Sequence, residues 1–140
     1  MGFRRWGFWR VAAWVPLLSW VGMIFYLSSQ SRPPGAESVN WIPTSYEDIV
    51  IHFCLYFMLG VFLFIAVKSV GRHKPNPFQV LALAAASVLI GAADEIYQSF
   101  VPGRVSSIAD WLADSAGGTS AIALLSWAWP LTKLKMARQG

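Results

Sequence analysis

DIVIHFCLYFMLGVFLFIAV, residues 48–67, opens on an aspartate, carries an imidazole at His52, and from there to Val67 holds no charged side chain. A helix crossing about 30 Å of hydrocarbon needs roughly 20 apolar residues, and this stretch has that length. Three more stretches share the pattern, running from roughly Phe8 to Ser28, Phe78 to Phe100 and Ile108 to Trp129. At that depth only helices or closed barrels satisfy every backbone group. The reading is an all-α membrane protein, four transmembrane helices in an antiparallel bundle, forming one domain over residues 1–140.

Composition agrees. The chain is 56% hydrophobic and 13% charged, with a mean hydropathy of +0.49, which leaves too little polar surface to cover a water-soluble domain. The single cysteine, Cys54, lies within an apolar run, so it allows no disulfide within the chain and reads as packing. The net charge of +4 comes from separate clusters at the ends of the spans rather than from one soluble stripe, which argues against a nucleic-acid partner.

Arg4, Arg5 and Arg10 precede the first apolar run in the manner of a signal peptide, but the run continues to Leu27, past the length of a signal core, and no A-x-A site closes it. Gly2 does not fit the myristoylation pattern either, because Trp6 stands where Ser or Thr is required. Pro16 falls within the first span and is a point where it can kink.

The basic residues set the orientation. Arg4, Arg5 and Arg10, then Lys68, Arg72 and Lys74, then Lys133, Lys135 and Arg138 fall on one side, with only Arg32 and Arg104 on the other. The positive-inside rule places the first group, and both termini, in the cytoplasm of a multi-pass membrane protein. Trp6, Trp9, Trp127 and Trp129 then mark the inner interface, and Trp41 and Trp111 the outer one. The Pro- and Ser-rich segment from Ser31 to Pro43 reads as an exposed loop.

All 7 acidic residues, Glu37, Glu47, Asp48, Asp94, Glu95, Asp110 and Asp114, fall on the outer half. Asp94 and Asp114 each lie about six residues inside a span, on the order of 9 Å from its end. Ionisable groups at such depth are costly and usually face a bundle interior. Ser87, Gly91, Asp94 and Gln98 share one face of the third span, and Asp110, Asp114, Gly117 and Ala121 one face of the fourth. These faces, joined by a short turn around Pro102 and Gly103, are expected to pack together with a polar pocket at their outer ends. The second span adds Asp48, His52 and Tyr56, and the first adds Ser19, Gly22, Tyr26 and Ser29.

With Arg104 and neutral His52, such a pocket carries a formal charge of about −3 if Asp94, Glu95, Asp110 and Asp114 are all ionised. Protonation, a bound divalent metal held by some of Asp94, Glu95, Asp110, Asp114 and His52, or pairing of Arg104 with two carboxylates would each relieve it. His52, Asp94 and Glu95 are the candidate acid–base residues, and Gln98, Arg104, Asp110, Asp114, Asp48, Tyr56 and Ser29 the candidate ligand-binding ones. Plainer roles compete. Glu47 follows Thr44 by three and Asp110 follows Ser107 by three, so both fit capping boxes, and His52 is placed to bond Asp48 one turn above it.

The segment from Asp94 to Gly117, with Asp94, Glu95, Gln98, Phe100, Pro102, Gly103, Arg104, Ser107, Asp110 and Gly117 in order, resembles the signature of the VanZ-like family of small bacterial membrane proteins. Ile24 to Gln30, and Asp48, His52, Phe53, Tyr56 and Gly60, resemble its other two blocks. Ile49 stands where the family often has Lys, and Asp114 where it often has Asn. The resemblance implies a four-span envelope protein linked to resistance against teicoplanin and related glycopeptides, and implies no particular reaction.

Three function classes are open at this stage. One is an enzyme or binding site for an anionic or lipid-linked envelope component, such as a phospholipid or polyprenyl-linked precursor, in which Arg104 and any metal hold phosphate or carboxylate. Another is a non-enzymatic partner protein in which the polar cluster locks helices together. A proton- or ion-coupled transporter is the weakest, since the inner halves of the spans carry essentially no ionisable side chain.

Overall fold

The computed structural model describes residues 11–31, 44–70, 75–102, 104 and 106–137, and side chains among these except at 44, 45 and 130–137. The expectations placed on Arg4, Arg5, Trp6, Trp9, Arg10, Arg32, Glu37, Trp41, Arg72, Lys74, Gly103 and Arg138, and on the side chains of Thr44, Lys133 and Lys135, lie outside the described residues. The described chain is all-helical: α1 (Trp14–Ser28), α2 (Thr44–Val70), α3 (Pro77–Gln98) and α4 (Ile108–Ala137).

Local chemistry sets the helix ends. Asn76 accepts from the Gln79 backbone N–H at 2.7 Å while Gln79 Oε1 accepts from the Asn76 N–H at 3.3 Å, a reciprocal cap with Pro77 at the first helical position. Pro16 sits in the first turn of α1 and, having no N–H for the carbonyl of Ala12, interrupts the helical ladder at Ala13, between the helical residues 11–12 and Trp14–Ser28. The described helix ends at Ser28, as expected, while the expected start at Phe8 lies outside the described residues. The helical backbone of α4 runs on to Ala137, past the expected end at Trp129.

Contacts give the directions. Ser87 of α3 lies against Gly118 of α4 and Gly91 against Asp114, so these helices run antiparallel, as expected of a short connection. The most extensive pair, however, is α2 with α4. His52 meets Asp114, the Phe53 backbone meets Gly117 and Gly60 meets Gly118, an ascending order that makes this pair parallel. A Cβ on Gly117 would run into the Phe53 carbonyl oxygen, and one on Gly60 would lie 2.5 Å from the Gly118 carbonyl oxygen. Gly117 therefore faces α2 rather than α3, and glycine is required here because two backbones touch.

α1 lies on α2 and, less extensively, on α3. The Trp20 indole N–H donates to the Leu55 carbonyl at 2.9 Å, and Phe25 meets Tyr97 edge to face. Its buried residues are Leu17, Ile24 and Ser28. The expected face of Ser19, Gly22, Tyr26 and Ser29 is not the packed one: Ser19, Gly22 and Tyr26 are exposed, because the helix turns its apolar stripe inward instead of its small residues.

The distribution of polarity is inverted relative to a soluble protein. Leu81, Leu89, Phe100 and Trp127 are each at least two-thirds exposed, while Ser87, Asp94, Gln98 and Asp114 are sealed inside. Water would penalise both arrangements, whereas hydrocarbon favours them. Tyr46–Val70 and Pro77–Gln98 are long and apolar enough to cross a membrane by length and composition; α1 is apolar but shorter.

Candidate functional site

One end of the bundle, formed by the late turns of α1 and α3 and the early turns of α2 and α4, collects the buried polar groups. The α3 stripe of Ser87, Gly91, Asp94 and Gln98 is buried throughout, as its spacing predicts. Opposite it, the His52 Nδ1–H of α2 donates to Asp114 Oδ1 of α4 at 2.9 Å. Asp114 is fully buried and His52 nearly so, and the bond leaves the second ring nitrogen of His52, Nε2, without a hydrogen bond among the described residues. The expected His52–Asp48 pair does not form, since Asp48 is exposed at the rim and Asp114 reaches the imidazole from across the helix interface.

Asp94, 1% exposed, is oriented by Gln98. The Gln98 amide donates to Asp94 Oδ2 at 3.2 Å and to Ser28 Oγ at 3.3 Å, tying α3 to α1. Ser28 thus takes the place assigned to Ser29, whose hydroxyl donates to the Tyr26 carbonyl of its own helix at 2.6 Å. The step from Leu17 to Ile24 to Ser28 marks the buried face, and following those apolar residues rather than the small ones would have found it.

Glu95 has a structural task. Its Oε2 accepts from the Ser107 N–H at 2.7 Å and from the Ser106 hydroxyl at 3.0 Å, which fastens the end of α3 to the start of α4. Ser107 Oγ accepts from the Asp110 N–H at 3.4 Å, so the Ser107–Asp110 cap forms in one direction only. Glu95 takes the Ser107 N–H that a capping box would give to Asp110, and the Asp110 carboxylate remains available to the site.

A cavity of about 30 Å³, large enough for at least one water, lies beside these groups and is lined by Ser28, Asp48, His52, Tyr56, Asp94 and Arg104, with apolar neighbours. Arg104 forms no ion pair with a carboxylate among the described residues; its guanidinium donates to the Leu27 carbonyl at 3.3 Å. Among the described residues, several buried atoms here have no hydrogen-bond partner: Tyr56 Oη, Ser87 Oγ, Asp94 Oδ1, Glu95 Oε1, Asp114 Oδ2 and Arg104 Nε. Burying polar atoms unpaired costs on the order of 1–3 kcal/mol each, so their concentration in one place is a departure from ordinary packing.

A small helical membrane protein with a histidine–carboxylate cluster enclosed at one end of its bundle is the class these features define. The sequence model of the VanZ/LLP1 family matches residues 13–129, from the start of α1 to within α4 and over every candidate residue, and the chain belongs to that family. No curated protein and no solved structure matches it.

Proposed function

We propose that the protein is a four-span inner-membrane protein with both termini in the cytoplasm, whose outward-facing pocket binds or acts on an anionic or lipid-linked envelope component and bears on glycopeptide resistance. The observation that carries this reading is the joint exposure to one cavity of His52, Asp94, Tyr56 and Arg104, with buried polar atoms left unpaired around it. Lys68, near the end of α2, lies at the opposite end of the bundle, which agrees with the cluster facing away from the cytoplasm. Arg104 is the anion-holding group, because its Nε has no partner among the described residues while its Nη2 is anchored on Leu27. His52, held by Asp114 with Nε2 unbonded, is the acid–base group if a reaction follows binding.

Arg104→Ala tests it. Purified protein is expected to bind phospholipid or polyprenyl-phosphate headgroups at least tenfold more tightly than the variant, since a hydrogen bond to a charged group contributes about 1.5–3 kcal/mol. Equal binding by both in a titration would remove the anion site from the proposal.

A second reading, a helix-docking lock without a ligand, is favoured by the Glu95 bonds to Ser106 and Ser107 and by the Gln98 bridge. The two readings separate on Asp94→Asn and Glu95→Gln. A lock predicts that loss of any glycopeptide phenotype tracks loss of thermal stability, whereas a site predicts that Asp94→Asn removes the phenotype at normal expression and Tm.

A further inference from the structure

We propose that His52, Asp94 and Asp114 form a binding site for one divalent transition-metal cation, Zn²⁺ or Mn²⁺. Each residue offers one donor atom, and the three atoms all lie within 4.8 Å of one another. Metal–ligand bonds of about 2.0–2.4 Å span donors up to roughly that separation, so a single ion reaches all three. The donors come from α2, α3 and α4, which makes the ion a cross-link between three helices.

The second, independent observation is the state of the carboxylates. Asp94 and Asp114 are at most 1% exposed, yet Asp94 Oδ1 and Asp114 Oδ2 each lack a hydrogen-bond partner. No Lys or Arg among the described residues pairs with either one. With His52 neutral, two enclosed ionised carboxylates have no counter-charge, an arrangement that is strongly disfavoured and that a dication balances without remainder. His52 Nδ1 and Asp114 Oδ1 already lie 2.9 Å apart, so an ion held by both would take the place of the proton they share, and binding would release that proton.

The donor set selects the ion. Mg²⁺ and Ca²⁺ favour all-oxygen shells, whereas one imidazole with two carboxylates suits Zn²⁺ or Mn²⁺. His52, Glu95 and Asp110 make a second grouping of similar spacing. It is the weaker one, because Glu95 Oε2 is engaged by Ser106 and Ser107 and Asp110 is only partly buried. The inference deepens the pocket described above and rests on it for one element only: a phosphate group at Arg104 would meet the cation as a second positive partner.

The experiment uses full-length protein in detergent, stripped with a chelator and titrated with ZnCl₂ or MnCl₂ alone, reading bound metal per chain and Tm. About one ion per chain is expected, with Tm rising by roughly 5 °C or more at saturation and a weaker response to MgCl₂ and CaCl₂. Asp114→Asn keeps the shape and the His52 acceptor, and is expected to reverse sign with metal. Stripped, its Tm equals or exceeds that of the stripped wild type, because one unbalanced charge is gone; metal then raises it little, with affinity at least tenfold lower.

Stripped wild-type protein that takes up no ion and shows no Tm change overturns the site, and this outcome needs no variant. If Arg104-dependent headgroup binding persists in that case, the cation alone is refuted. If metal binds stoichiometrically but no headgroup does, the cation site stands and the anion pocket falls.

Discussion

Gly117→Ala is expected to lower the thermal stability of the purified protein, and to do so more than any single alanine substitution on the outward face of α1. The added methyl group would meet the Phe53 carbonyl oxygen and lie 3.0 Å from the Phe57 nitrogen, atoms of a helical backbone that cannot rotate away. α2 and α4 would have to separate along the largest interface in the molecule. Overpacking of this kind costs about 1–3 kcal/mol and outweighs the gain in helix propensity of up to about 1 kcal/mol from replacing glycine. Gly22→Ala supplies the control: nothing lies within 4 Å of its Cβ position, so the propensity gain stands alone and Tm is unchanged or raised. A thermal-shift assay comparing the two would contradict the account of the α2–α4 contact if they moved Tm equally.

The second large effect concerns Tyr56, a fully buried side chain whose ring packs beside Gly91 and lines the cavity. Tyr56→Ala is expected to cost about 3–5 kcal/mol, because the site between α2 and α3 cannot collapse to fill the space of an aromatic ring. Tyr56→Phe is expected to cost far less, no more than about 1.5 kcal/mol, since the hydroxyl it removes faces Asp94 without a well-formed hydrogen bond among the described residues. Headgroup or metal binding measured on Tyr56→Phe then isolates the contribution of the hydroxyl to the pocket. A large loss of stability in Tyr56→Phe would mean that the hydroxyl is bonded and that the cluster is better satisfied than its geometry indicates.

What the sequence makes legible, and what it hides, divides along a physical line. Continuous apolar runs locate α2 and α3 to within a few residues, because length and hydropathy do not depend on neighbours. Helical spacing correctly groups Ser87, Gly91, Asp94 and Gln98, since a face is an intrachain property. The rotation of one helix about another is not such a property. This is why His52 bonds Asp114, 62 residues away, instead of Asp48 one turn off, and why Gly117 meets α2 although Gly118 meets Ser87. It is also why Ser28 and not Ser29 reaches Gln98. In α1 small and apolar residues offered two competing stripes, and only the packing surfaces of α2 and α3 decide between them.

The enclosure of Asp114 by three helices has a bearing on biogenesis. A translocon weighing α4 alone would meet Asp110 and Asp114 in an otherwise modest segment, at up to roughly 2.5–3.5 kcal/mol for an acid at the centre of the bilayer. α2 and α3 are by length and composition apolar enough to cross a membrane. In the four-span arrangement α4 would therefore enter late, as the second arm of a hairpin clasped by Glu95 to the serines before it, and complete insertion only once His52 is in place to receive its carboxylate.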